Sequence, residues 1–104
     1  MLLLKNINKM NIEIIDFYAE WCGPCKAMSP MIESMQKEFP EGNESGVTIR
    51  KVNVDSDPDL AKKYNIRSIP TLVFLKDGIE KERASGLKNK AFMDEKINEM
   101  MLNN

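Results

Sequence analysis

The sequence has no histidine among its 104 residues. That absence removes the commonest metal ligand and the side chain most used as a general base near neutral pH. Cysteine is scarce as well, with Cys22 and Cys25 the only two. Two cysteines cannot build the multi-bridge framework of small secreted domains. No apolar run reaches the ~20 residues of a membrane-spanning helix. Leu2-Leu3-Leu4 is too short for the core of a secretory signal and has no basic residue ahead of it. An excess of one charge is also missing: 15 Lys and Arg face 16 Asp and Glu, for a net charge of −1. The two signs are interspersed, which excludes a basic stripe for nucleic acid and a like-charged tail. These absences leave a single domain over residues 1–104, with no nucleic-acid or membrane partner. The reducing cytoplasm is its expected compartment, where a close cysteine pair is more often catalytic or metal-binding than structural.

The residues present give an α/β pattern. Ile12 to Tyr18 is rich in β-branched and aromatic residues and reads as a buried strand. Met28, Met31, Ile32, Met35 and Phe39 recur at helical spacing and mark one face of a long helix, which Pro30 is expected to kink. Most of the eight methionines fall at such spacing, which favours core filling. Residues 40–46 carry Pro, Gly, Asn and Ser and read as a loop. Val47 to Val54 alternates as a second strand, so strand, helix and strand form a βαβ unit with parallel strands. Asp57 caps a short helix over about residues 59–64, with Pro58 at its first position. Thr71 to Lys76 is a third strand, Asp77-Gly78 a hairpin turn, and Ile79 to Ser85 a charged edge strand. Met93, Ile97, Met100 and Met101 line a C-terminal helix. The expected architecture is a central mixed sheet flanked by helices on both faces.

Chemistry concentrates in Trp21-Cys22-Gly23-Pro24-Cys25-Lys26. The pair lies between a strand and a helix, which places a dithiol at a helix start. There the free backbone N–H groups and the helix dipole stabilise a thiolate, lowering its pKa. The second thiol, one turn on, can attack a mixed disulfide formed by the first. Two other readings are weaker. Free cysteines are common in cores. A Cys-x-x-Cys pair supplies two zinc ligands, but zinc takes about four, and only a symmetric dimer could complete the set.

The stretch Asp16-Phe17-Tyr18-Ala19-Glu20-Trp21-Cys22-Gly23-Pro24-Cys25-Lys26 resembles the signature of the thioredoxin family. Ile66-Arg67-Ser68-Ile69-Pro70-Thr71-Leu72, Lys76-Asp77-Gly78 and Gly86 match further hallmarks, and the resemblance spans about residues 12–102. It implies the thioredoxin fold and a protein disulfide reductase cycling between a Cys22/Cys25 dithiol and disulfide. Cys22 is then the more exposed nucleophile and Cys25 the shielded resolving thiol. Asp16, a carboxylate in an otherwise apolar strand, is the candidate base, since desolvation raises its pKa. The other reading is that it points outward. The resemblance places Lys51 beside Asp16, tuning its charge; otherwise it is a solvent-facing strand lysine. It also implies a cis peptide bond before Pro70, packed against the cysteines. Trp21, Gly23, Pro24, Ile69, Pro70 and Gly86 would form a low apolar surface around Cys22, where the Ile69 backbone can pair with an extended substrate.

The implied partners are protein disulfides and a flavin-dependent thioredoxin reductase using NADPH. No bound cofactor, no metal and a monomeric state are expected. Four departures from the family pattern stand out. Tyr18 stands where Trp is frequent, and Ser68 where Gly is. The region before Ile12 is short, so a first helix is expected to be a turn or absent, and the loop at 40–46 is long. Two rival functions remain: an oxidase or isomerase, and an interaction module in another protein's complex. Gly23-Pro24 resembles reductants rather than isomerases.

Overall fold

The β-branched and aromatic run Ile12–Tyr18 forms strand β1, and the chain then enters helix α1, Gly23–Glu38. Strand β2 is Val47–Asn53 and helix α2 is Pro58–Lys63. Strands β3, Thr71–Lys76, and β4, Ile79–Ser85, form a hairpin before helix α3, Lys90–Leu102. These assignments come from a computed structural model whose described residues are 10–102. The expectation about a first helix before Ile12 lies outside them.

The four strands form one mixed sheet in the order β2-β1-β3-β4. β1 runs parallel to β2 and antiparallel to β3, and β3 runs antiparallel to β4. The connection between the parallel strands β1 and β2 carries α1 across one face of this sheet. Successive side chains of a strand point to opposite faces, and β1 shows the result. Ile12 and Ile14 join Val47, Ile49, Leu72 and Phe74 beneath Met28, Ile32 and Met35 of α1 and Met93, Ile97 and Met100 of α3. Ile15 and Phe17 join Val52, Val73 and Leu75 on the other face, covered by Leu60, Ala61, Tyr64 and Ile66 in and after α2. β1 and β3 are therefore apolar on both faces, as strands between two helical layers must be. β4 is exposed along nearly its whole length, in keeping with its charged edge sequence Ile79-Glu80-Lys81-Glu82-Arg83.

The turns follow their residue types. Asp77 and Gly78 both take positive φ, 53° and 81°, as a two-residue hairpin turn requires. Asp57 accepts a hydrogen bond from the Leu60 N–H through its side chain and caps α2. Two boundaries differ slightly from the sequence reading. α2 spans Pro58–Lys63 rather than about 59–64, because Pro58 itself supplies the first helical residue. β2 stops at Asn53, whose side-chain oxygen accepts from the Asp55 and Ser56 N–H groups and turns the chain. α1 continues through Pro30, which sits exposed on the helix and interrupts no assigned turn.

Candidate active site

The site is built where β1 ends and α1 begins. Cys22 is the N-cap residue of α1, with extended backbone (φ −90°, ψ 112°). Its Sγ accepts a hydrogen bond from the Cys25 N–H at 3.2 Å. A first-turn N–H that has no helical partner is thus aimed at the cysteine sulfur. Gly23 and Pro24 occupy the first turn, where the missing N–H of proline costs nothing. Cys22 and Cys25 are joined in a disulfide with Cα atoms 5.2 Å apart.

The two cysteines are equally buried here, each 5% exposed. The sequence reading had expected Cys22 to be the more exposed. In the disulfide each sulfur covers the other, and Ala19, Tyr18, Val54 and Ile69 pack around both.

Ile69 reaches the cysteines from the loop before β3, and the Ile69–Pro70 bond is cis. Pro70 is buried, and its carbonyl accepts from the Gly86 N–H at 2.9 Å. Gly86 takes φ +90°, a conformation that favours glycine. Trp21 is 69% exposed beside the disulfide, with its Nε1–H donating to Asp55 Oδ2 at 2.8 Å. Gly23 and Pro24 are exposed as well. Trp21, Val54, Ala61, Ile66, Arg67, Ser68 and Ile69 line a shallow cavity of about 190 Å³ next to the cysteines.

Asp16 does not point outward. It lies on the α1 side of β1, in phase with Ile12 and Ile14, and is 2% exposed. Its Oδ1 has no hydrogen-bond partner among the described residues. Burial pushes its pKa up from 3.8 to about 6, against a smaller opposing pull from the Lys51 charge. Lys51 sits opposite Asp16 in the β1–β2 register. Its ammonium donates to Ser29 Oγ at 2.8 Å and Glu33 Oε2 at 3.2 Å, and lies 4.6 Å from the centre of the Tyr18 ring.

Every residue singled out from the sequence is therefore placed: Trp21, Gly23, Pro24 and Ile69 at the disulfide, Pro70 and Gly86 joined behind it, Asp16 and Lys51 side by side in the sheet. Sequence reasoning missed Val54, Asp55, Ser29 and Glu33. Only Asp55 carried a signal, since Asn53-Val54-Asp55 leaving a strand is a turn pattern that presents its polar side chains. Among the described residues, no group of three or more His, Cys, Asp or Glu is placed to hold a metal ion. No helix there is long and apolar enough to cross a membrane.

Comparison with known proteins agrees with this geometry. The family model described as Thioredoxin matches residues 4–99. The thioredoxin of Chlamydia trachomatis is 52% identical over 77 residues, covering 74% of this chain and 71% of that protein. The thioredoxin of Rickettsia bellii is 42% identical over 85 residues, covering 82% and 77%. The crystal structure of Fasciola hepatica thioredoxin superposes with a TM-score of 0.75 at 39% identity, covering 95% of this chain and 89% of that one. The chain belongs to the thioredoxin family and has its fold. It is a protein thiol–disulfide oxidoreductase, acting on protein disulfides through Cys22 and Cys25 without a prosthetic group.

Proposed function

We propose, with thioredoxin-family membership as the premise, that this protein is a general cytoplasmic reductant of protein disulfides and acts as a single-domain monomer. The observation that carries this reading is the Cys22–Cys25 disulfide at the N-terminus of α1, with Cys22 Sγ accepting the Cys25 N–H. In the reduced protein the same N–H and the helix dipole would stabilise a Cys22 thiolate. That thiolate attacks one sulfur of a substrate disulfide. A mixed disulfide forms, and the other substrate sulfur leaves as a thiolate and takes up a proton. The Cys25 thiol then loses its proton and attacks Cys22 Sγ. The second substrate thiol leaves, and the Cys22–Cys25 disulfide closes. Two electrons and two protons pass from the dithiol to the substrate.

Asp16 is the base for the second step. It lies on the sheet face that α1 covers, the helix that carries Cys25, and a pKa of about 6 keeps it within reach of a thiol's proton near neutral pH. Lys51 moderates the Asp16 charge. The substrate segment binds across Trp21, Gly23, Pro24, Ile69, Pro70 and Gly86, pairing with the Ile69 backbone as an added strand. The exposed Trp21 and the shallow cavity beside it support a surface that accepts many partners without deep selectivity. The disulfide is returned to the dithiol by a flavin-dependent thioredoxin reductase drawing on NADPH.

The test is trapping. Cys25→Ser protein incubated with a disulfide-containing protein should accumulate a covalent adduct that dithiothreitol releases. Cys22→Ser should form none. Adducts in equal yield from both variants would reverse or abolish the assigned roles.

A further inference from the structure

The Lys51 charge acts on two carboxylates, Asp16 and Glu33, and its hydrogen bond goes to Glu33. Lys51 stands opposite Asp16 across the β1–β2 pairing. Its Nζ, however, donates to Glu33 Oε2 at 3.2 Å and Ser29 Oγ at 2.8 Å, both on α1. The Ser29 hydroxyl donates in turn to the same Glu33 oxygen at 2.7 Å. The three side chains close a ring of hydrogen bonds, and the face of Tyr18 lies 4.6 Å from the ammonium. Asp16 Oδ1, meanwhile, keeps no partner among the described residues.

We propose that Ser29 and Glu33 are positioning residues for the thiol–disulfide reaction: they hold the Lys51 ammonium against their own side chains on α1 and thereby limit its hold on Asp16. The inference rests on the reading of Asp16 as the base. An ammonium free of Glu33 could turn its donors to the unpartnered carboxylate oxygen. An opposite charge at contact distance favours the ionised carboxylate and would weaken it as a proton acceptor. Glu33 keeps its own charge for this task, because the Ser29 hydroxyl and then Lys51 hold its carboxyl below the usual range. Among the described residues, Lys51 is the charge that acts on Asp16. β3 presents Leu72 in register, and the buried residues of α3 are Met93, Ile97 and Met100. Cys25 of α1 is in the disulfide, and Lys37, further along α1, acts on Glu33.

The experiment follows the Asp16 carboxyl by carbon-13 NMR across pH in the oxidised protein. Wild type, Glu33→Gln, Lys51→Met and the double variant are compared. In Glu33→Gln the midpoint should fall by about 1 pH unit, the low end of the effect of a contacting opposite charge. In Lys51→Met it should rise, and the double variant should match Lys51→Met. A double-mutant cycle of this kind isolates what passes between the two residues. A Glu33→Gln midpoint equal to wild type would overturn the proposal. So would a fall that persists without Lys51, since Glu33 would then act directly through its field. Ser29→Ala gives a second route with a smaller fall expected, and no fall at all would remove Ser29 from the arrangement. The role of Asp16 itself is read separately: if Asp16→Asn, with both cysteines intact, left the rate of resolution of the mixed disulfide by Cys25 unchanged, the base assignment would fail whatever the titrations showed.

Discussion

At the residue scale, Asp16 gives the account its most direct consequence for stability. Its carboxyl is buried at 2% exposure with one oxygen unpartnered among the described residues, and its pKa stands at about 6 against 3.8 for an ordinary aspartate. The folded state therefore holds this proton more tightly than the unfolded chain does. Below about pH 4 the group is protonated in both states and has no effect. As pH rises towards 6 the unfolded chain releases the proton first, so stability falls, and above about 6 the loss is complete. At about 1.4 kcal/mol per pH unit, the rise from 3.8 to about 6 corresponds to about 3 kcal/mol. Asp16→Asn, which cannot ionise, should gain up to about 3 kcal/mol over wild type in urea unfolding at pH 7.5, with the gain vanishing at pH 4. A gain that is the same at both pH values would show that burial of the charge is not its cause. Asp16 was legible in the sequence because a lone carboxylate interrupts an apolar strand. Glu33 and Ser29 were not legible. They are polar residues on a helix surface, and their partner Lys51 lies 18 and 22 residues away along the chain.

At the scale of elements, strands and turns were the most readable. The bounds of β1, β3 and β4 followed from β-branched and aromatic runs and from Asp77-Gly78, where backbone sterics leave few choices. The equal burial of Cys22 and Cys25 was not readable, because it depends on Val54 and Ile69 arriving from other elements to cover the sulfurs. The loop before β2 shows how tightly one turn can be constrained. Gly46 has φ +78°, and its carbonyl accepts the Ile12 N–H at 2.9 Å, joining the loop to the first residue of β1. A Cβ at this position would run into the backbone carbonyl of Met10. Gly46→Ala must therefore both strain its own backbone and displace the segment leading into β1. Calorimetry should show a loss of at least about 1 kcal/mol. Gly42→Ala, with φ +79° but open space around it, should lose less. Equal losses at the two positions would mean that the Met10 contact is immaterial.

At the scale of the whole molecule, the sheet serves to bring distant segments to one end. β1 delivers Cys22 to the start of α1, the chain after β2 delivers Val54 and Asp55, and the loop before β3 delivers Ile69 and Pro70. The mixed sheet with helices on both faces was readable from the order of elements. Its strand order, with β1 between β2 and β3 and, among the described residues, β2 at one edge, needed the structure, since periodicity carries no information about which neighbours pair across the sheet. The central claim is that this assembly makes Cys22 a nucleophile towards protein disulfides. The most direct measurement is reduction of insulin by the purified protein with dithiothreitol, followed as turbidity, beside a Cys22→Ser variant shown by circular dichroism to be folded. The account predicts prompt turbidity with wild type and only the uncatalysed rate with the variant. Equal rates for the two proteins, or no acceleration by folded wild type, would contradict it.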